Sequence, residues 1–298
     1  MRKSRDAVAF WTSTMQPSWG QTVEALDAIK GRWVEYERRD IDRAISPVDD
    51  MLETEQARDH YFAIGRSALH IISEAMMLSG RTQFERILDL PCGGGRITRH
   101  LVKFFPDAKI FVDDIVAEKR EAVRDQFAVE LASCARDFQG ASAFQFDIIF
   151  VGSLFTHLNE HMFRDALNYL IGSLSPGGLL IMTTHGRLAA TWAASDQRKL
   201  GKSRRPKSLL DTLRRKPRPV AVEDVLEAIE GSYMEAGFGY TEYRAFTQAY
   251  GKSYGATFIT PSWLMKLIQS RDDATIIGFK ERGFANHQDV VTLQKLPI

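Results

Sequence analysis

Cysteine is nearly absent from this chain: Cys92 and Cys134 are the only two among 298 residues. They are far apart and lack the paired spacing of a zinc ribbon or a CxxC redox site, so a disulfide scaffold is excluded as the organising principle. Long hydrophobic runs are missing too. The longest, such as Ile148 to Val151 and Leu179 to Met182, have strand length and fall well short of the roughly 20 residues a membrane helix needs. Charge of one sign is also lacking, with 39 Lys and Arg against 38 Asp and Glu, which excludes a basic protein overall and an acidic disordered one. The N-terminus carries Arg2, Lys3, Arg5 and Asp6 without a following apolar segment or small-residue cleavage site. A secretory signal is therefore not expected, and a reduced cytoplasmic setting is. No internal repeat or low-complexity tract is visible.

What is present is an ordinary globular composition, 44% hydrophobic and 26% charged. One region departs from it: between Arg198 and Arg218 there are ten Lys or Arg residues and a single acid, Asp211. Three readings of this run stay open: a lid over an anionic acceptor, a nucleic-acid or membrane patch, and a solvated insertion. Pro206, Pro217 and Pro219 interrupt any long membrane-surface helix, and no aromatic residue inside the run offers base stacking.

Apolar spacing at Leu26, Ile29, Trp33 and Tyr36, and again at Ile64, Leu69, Ile72 and Met76, predicts two helices that cover one flank of a sheet. From Phe84 the rhythm becomes strand, helix, strand. Strands are expected at Arg86 to Leu90, Lys109 to Asp113, Val129 to Ser133, Phe146 to Val151 and Leu179 to Thr184, the last entered through a turn at Pro176, Gly177 and Gly178. Helices are expected at Gly93 to Phe105, Glu118 to Glu130 and 160 to 174. A helix over Glu223 to Ala236 should stop at Gly237, and another should follow Pro261 and Ser262 through Gln269. Thr275 to Phe279 and Asp289 to Leu293 read as a terminal strand pair suited to an antiparallel edge. The alternation predicts an α/β fold with a doubly wound, mostly parallel sheet.

The most informative segment is Ile87-Leu88-Asp89-Leu90-Pro91-Cys92-Gly93-Gly94-Gly95-Arg96, a turn from a buried strand into a helix. Its glycines remove Cβ atoms where a nucleotide-like ligand can approach the backbone. Counting from Gly93, the third glycine of a dinucleotide fingerprint is replaced by Thr98, and no P-loop lysine follows. A diphosphate is therefore served less well than an adenosine ligand bearing a methionine tail. Asp89 can pair with an ammonium group or orient the turn, and helix-start N–H groups can receive a carboxylate. Asp114, at the end of the second strand, is placed to accept from two ribose hydroxyls, with Asp113 as its neighbour and rival.

With these residues the chain resembles the class I, seven-stranded S-adenosylmethionine-dependent methyltransferases, over roughly residues 84 to 184 and the terminal strand pair. The resemblance implies a Rossmann-like sheet with an antiparallel terminal strand, an N-terminal helical extension over residues 1–60, a methyltransferase domain over 61–298, and a basic helical insertion at about 186–243. It also implies that Asp89, Gly93 and Gly95 surround the methionine part of S-adenosylmethionine and that Asp114 holds its ribose. Pro91 stands where the family pattern begins its glycines, fixing φ and removing a donor within the cofactor turn that also contains Arg96. Asp137, after the third strand, is a candidate for the adenine amino group, beside Cys134. The strings YFAIGRSALHII, FVGSLFTHL, SYGATFITPSW and FANHQDVVTLQK are similar to a branch associated with polysaccharide or secondary metabolism.

On the acceptor side, His157 follows the fourth strand and is the candidate general base, with helix-start positioning as the alternative. It also begins the pattern His157-Leu158-Asn159-Glu160-His161, an inverted zinc-protease spelling, yet no third ligand is identifiable and no metal is expected. His185, an aromatic wall of Tyr250, Tyr254 and Trp263, and the cluster His287, Gln288 and Asp289 complete the candidates, each with core packing or strand anchoring as its alternative. The expected activity is methyl transfer to an oxygen or nitrogen of a small-molecule or glycan-like acceptor. A nucleic-acid methyltransferase and a non-enzymatic S-adenosylmethionine-binding protein are the other readings, and nucleic acid is a disfavoured partner.

Overall fold

The computed structural model describes residues 19–52, 54–202, 222–243 and 254–297. Most of the Arg198-to-Arg218 run and Tyr250 lie outside the described residues. Among the described residues no helix is long and apolar enough to cross a membrane.

Seven strands form one sheet in the order β3-β2-β1-β4-β5-β9-β8. They are β1 (Arg86–Leu90), β2 (Lys109–Val112), β3 (Glu130–Leu131), β4 (Phe146–Val151), β5 (Leu174–Thr184), β8 (Ala274–Phe284) and β9 (Gln288–Lys295). The first five pair in parallel, and β9 runs antiparallel between β5 and β8. The terminal pair expected from Thr275 and Asp289 is thus present and longer at both ends.

Each buried strand feeds two cores. Ile87, Ile110, Val112, Ile148, Phe150, Leu179 and Ile181 face one side; Leu88, Leu90, Phe111, Ile149, Val151, Leu180 and Met182 face the other. Both sides must be covered, which is why these strands read as continuous apolar runs instead of alternating ones. On the first side lie α1 (Trp19–Arg38), α2 (Arg58–Ser79) and α3 (Thr98–Phe104), with Ile29, Tyr36, Leu69, Ile72 and Met76 in the shared core. α4 (Ala117–Phe127) also packs on the first side, through Val123 and Phe127; on the second lie α5 (Glu160–Gly172) and the helix Pro261–Gln269, which starts with Thr260 accepting from the Trp263 amide.

Three differences from the sequence reading have physical causes. The helix after β1 begins at Thr98 instead of Gly93, because residues 93–97 form turns and Gly93 and Gly95 both have positive φ. The segment Pro176-Gly177-Gly178 lies inside β5 instead of preceding it: Phe146 already pairs with Leu174, and the register shifts before Ile148 meets Leu179. The third difference is a separate two-stranded antiparallel sheet, β6 (Phe238–Glu242) with β7 (Gly255–Ile259), whose two short strands are joined through residues 243–254. The helical stretch before it does stop at Gly237, and it contains a π-helical turn, Ile229–Tyr233.

Candidate active site

A cavity of about 360 Å³ opens over the C-terminal ends of β1, β2 and β4. This is where the strand order reverses, since β1 pairs with β2 on one side and β4 on the other, and such a switch point leaves a crevice between diverging connections. Pro91, Gly93, Arg96 and Asp114 line the cavity.

Asp114 ties the two strand ends together. Its Oδ2 accepts the Gly93 amide at 3.0 Å and its Oδ1 the Val116 amide at 2.8 Å, so the carboxylate is held at the cavity edge by backbone donors. Burial raises its pKa, with those hydrogen bonds opposing. Its rival Asp113 is engaged elsewhere, accepting its neighbour's amide and that of Cys134, with Arg120 at 3.4 Å. Pro91 follows a cis peptide bond, and the next residue's amide, that of Cys92, donates to the Asp113 carbonyl at 2.9 Å. The turn therefore takes one backbone bond from β2's end where the usual glycine is missing.

Asp89 and Gly95 lie behind the turn. Asp89 is fully buried; its Oδ2 receives the Thr98 hydroxyl at 2.6 Å, and its Oδ1 has no partner among the described residues. Burial pushes its pKa up to about 7, with the Thr98 bond and the nearby Arg96 charge opposing. Thr98, the residue standing in place of a third fingerprint glycine, is thus the one that holds Asp89. At Gly95, with φ +83°, an added Cβ would overlap the Phe127 ring, so this glycine serves the packing of α4 under the turn. At Gly93 an added Cβ meets nothing within 4 Å.

Arg96 sits on the cavity wall above the Tyr61 ring at 5.9 Å. Its guanidinium is largely buried, which lowers its pKa, with the nearby Tyr61, Asp49 and Asp89 opposing, and it makes no hydrogen bond or ion pair among the described residues. Arg99, one turn on, is its opposite: it is 1% exposed and donates to the carbonyls of Gly95, Asp42 and Ala44. Those bonds fasten the segment before α2 across the glycine turn. Asp50 and Met51 of that segment line the cavity, and Asp50 pairs with Lys119 at 2.7 Å. Nothing in the spacing of residues 39–52 announces this role, because it depends on the Arg99 side chain, 57 residues after Asp42 and 55 after Ala44. Ile115 was also missed, although an apolar residue directly after strand-end acids was a usable signal: it lines the cavity and is 42% exposed.

Asp137 is not brought to the cavity. It is exposed and caps its own turn by accepting the Gln139 amide at 3.1 Å, while Cys134, Ala135, Arg136 and Phe138 provide the wall there.

His157 lies on the wall with Ser153, Leu154 and Tyr254. Its Nδ1 bonds the Gly255 carbonyl at 2.8 Å. A carbonyl only accepts, so Nδ1 carries the proton and Nε2 of the neutral ring keeps its lone pair. Burial lowers the pKa of this imidazole, and the Gly255 bond opposes. Stacking on Tyr254 at 4.7 Å fixes the ring plane. The remaining residues of the inverted zinc pattern point elsewhere: Glu160 pairs with Arg164, and the largely exposed His161 with Asp165. Among the described residues no cluster of three metal-ligating side chains is present. Trp263 packs against Phe163 and Phe238 in the second core, so of the expected aromatic wall Tyr254 alone is seen at the cavity among the described residues.

Residues 87–178, from β1 into β5, match the protein family described as "Methyltransferase domain". The fold is that of the class I S-adenosylmethionine-dependent methyltransferases. The matched stretch of this methyltransferase fold contains the glycine turn, Asp114 and His157. A malonyl-[acyl-carrier protein] O-methyltransferase of Acetivibrio thermocellus is 28% identical over 134 residues, 44% of this chain and 46% of that protein, so the chain spans about half the length of the curated relative it matches. Among solved structures, the N-methyltransferase NodS of Bradyrhizobium japonicum WM9 superposes with a TM-score of 0.44 at 12% identity, covering 91% of this chain and 99% of that one. A methyltransferase of Clostridium acetobutylicum gives a TM-score of 0.47 at 12% identity, over 80% of this chain and 92% of that one.

Proposed function

We propose that this protein transfers a methyl group from S-adenosylmethionine to an oxygen or nitrogen of a small-molecule or glycan-like acceptor. The observation that carries the reading is Arg96, a largely buried cation on the cavity wall that feels the charges of Asp49 and Asp89 but makes no hydrogen bond or ion pair with them among the described residues. A guanidinium whose donors are not used by the chain is satisfied by a ligand carboxylate through two parallel hydrogen bonds. The other groups suit the rest of the same ligand. Gly93 leaves room for close approach, Asp114 offers carboxylate lone pairs beyond those its backbone donors use, and Ile115 gives an apolar surface for a base. Asp89, buried with one oxygen unpartnered, favours positive charge nearby.

When bound, the cofactor supplies a methyl group on a positively charged sulfur, ready for direct capture by a nucleophile. The residues of this chain position, exclude water and accept a proton. His157, on the cavity wall, serves as the base through its Nε2 lone pair, and its Nδ1 bond to Gly255 steadies the ring before and after it takes the acceptor's proton. The O-methyltransferase relative supports oxygen as the receiving atom. Both cysteines are free, in keeping with a reducing cytoplasm.

Incubating the protein with cell extract and a methyl donor carrying an isotopic label tests this reading. Label is expected in a low-molecular-weight or glycan fraction. Label confined to nucleic acid, or none above a protein-free control, would overturn it.

A further inference from the structure

The β6–β7 ribbon, outside the main sheet, holds the loop that carries His157. The Thr257 amide donates to the Thr156 carbonyl at 2.9 Å, the Gly255 amide to the His157 carbonyl at 2.8 Å, and the Thr257 hydroxyl to the Leu158 carbonyl. The Gly255 carbonyl in turn accepts the His157 Nδ1 proton. A glycine suits this point, because an added Cβ would overlap the Thr241 carbonyl and the Tyr240 ring across the ribbon.

The same ribbon brings two aromatic rings to the imidazole. Tyr243 follows β6 and Tyr254 precedes β7, and the Tyr243 amide donates to the Tyr254 carbonyl at 3.0 Å, so both side chains start from one end of the ribbon. The Tyr254 ring stacks on His157 at 4.7 Å with 29° between the planes, the Tyr243 ring is tilted against it at 5.8 Å and 57°, and the two tyrosine rings are 5.5 Å apart. The other titratable ring beside it is His185, from the loop after β5, at 6.5 Å; burial brings its pKa to about 3, so it is neutral. Burial and the Gly255 bond are the influences on the protonation of His157, and no carboxylate among the described residues acts on it. Glu160, the nearest acid in the chain, pairs with Arg164.

In the proposed reaction the acceptor's lone pair takes the methyl group, its O–H or N–H proton goes to Nε2 of His157, and the positive charge lost from sulfur reappears on the ring. We propose that Tyr243 and Tyr254 are positioning residues that hold this imidazolium against their π faces. A largely buried cation gives up most of the water that would stabilise it, and the Gly255 carbonyl addresses its Nδ1 edge alone. The electron-rich face of an aromatic ring within about 6 Å attracts a cation, and does so more strongly when both are desolvated. Tyr254, being stacked, offers its face directly; Tyr243 adds a second ring from the side. The inference rests on the reading of His157 as the base in methyl transfer.

Imidazole nitrogen NMR titration of the full-length protein tests it without an acceptor, with His157→Gln assigning the signal. The His157 ring should take up its proton with a midpoint above about pH 4.5. Position 254 is then filled with phenylalanine and with phenylalanines carrying one, two and three ring fluorines, which draw charge from the π face while nearly keeping its shape. The midpoint should fall with each fluorine, by about 0.5 or more across the series, and Tyr243→Leu should lower it as well. A midpoint indifferent to fluorine, a midpoint unchanged or raised in Tyr243→Leu, or a ring that stays neutral down to about pH 4.5, would overturn the pair. A midpoint that moves while the acid limb of the pH–rate profile stays in place would instead count against His157 as the base. Failure of the unsubstituted protein to bind S-adenosylhomocysteine would count against the methyl-transfer reading beneath both.

Discussion

The Asp114 carboxylate accepts the amide of Gly93 at 3.0 Å, so the acid that ends the second strand shapes the glycine turn that follows the first. This bond makes two separate sequence features into one unit. Asp114→Ala removes both the cavity carboxylate and the turn's anchor. Affinity for S-adenosylmethionine should fall about 10- to 100-fold, the span of ~1.5–3 kcal/mol for a charge-assisted hydrogen bond. Asp114→Asn should fall in between, because its carbonyl can still accept from Gly93. Isothermal titration of the two variants checks the order.

Asp89 links stability to pH. Its folded pKa is raised to about 7, above the ordinary aspartate value, so the folded state binds a proton that the unfolded chain has already lost between roughly pH 4 and 7. Stability should therefore decline as pH rises through that window and level off above it. Asp89→Asn should flatten this part of the curve, as measured by urea unfolding at pH 5, 6, 7 and 8. A bound sulfonium or ammonium favours the carboxylate, so cofactor affinity should rise with pH over the same range in the unsubstituted protein and lose that rise in Asp89→Asn.

His157→Ala should lower turnover by ~10²- to 10⁴-fold, the usual contribution of a positioned base, with cofactor affinity changed less than about twofold. The acid limb of the pH–rate profile should lie below the ordinary imidazole value of ~6.5, because burial lowers this group's pKa. Single-turnover rates with labelled methyl donor separate this role from simple positioning, which would leave the limb in place.

Local rules carried most of the fold into the sequence. The β1 and β4 runs end where expected, and the αL residue Gly237 closes its helix, because burial on both faces and capping leave local marks. The pairing of β6 with β7 left none, since each strand has five residues and gains its meaning only from the other. That Pro91, Gly93 and Arg96 line one cavity was legible because a tight strand-to-helix turn constrains neighbouring residues, and Asp114 joins them from the next strand end. Arg99 was not: a fully buried arginine owes its place to the carbonyls of Asp42 and Ala44, partners that no periodicity connects to it. Asp137 lies off the cavity lining, because an acid after a third strand serves a local turn as readily as a ligand, and here it accepts from Gln139.

Titration of the folded protein with S-adenosylmethionine and S-adenosylhomocysteine, beside Arg96→Ala, tests the account most directly. Both ligands should bind one per chain in the unsubstituted protein, and Arg96→Ala should weaken both by at least tenfold while the circular dichroism spectrum stays the same. Absence of binding by either ligand, or binding untouched by the loss of Arg96, would contradict the central claim.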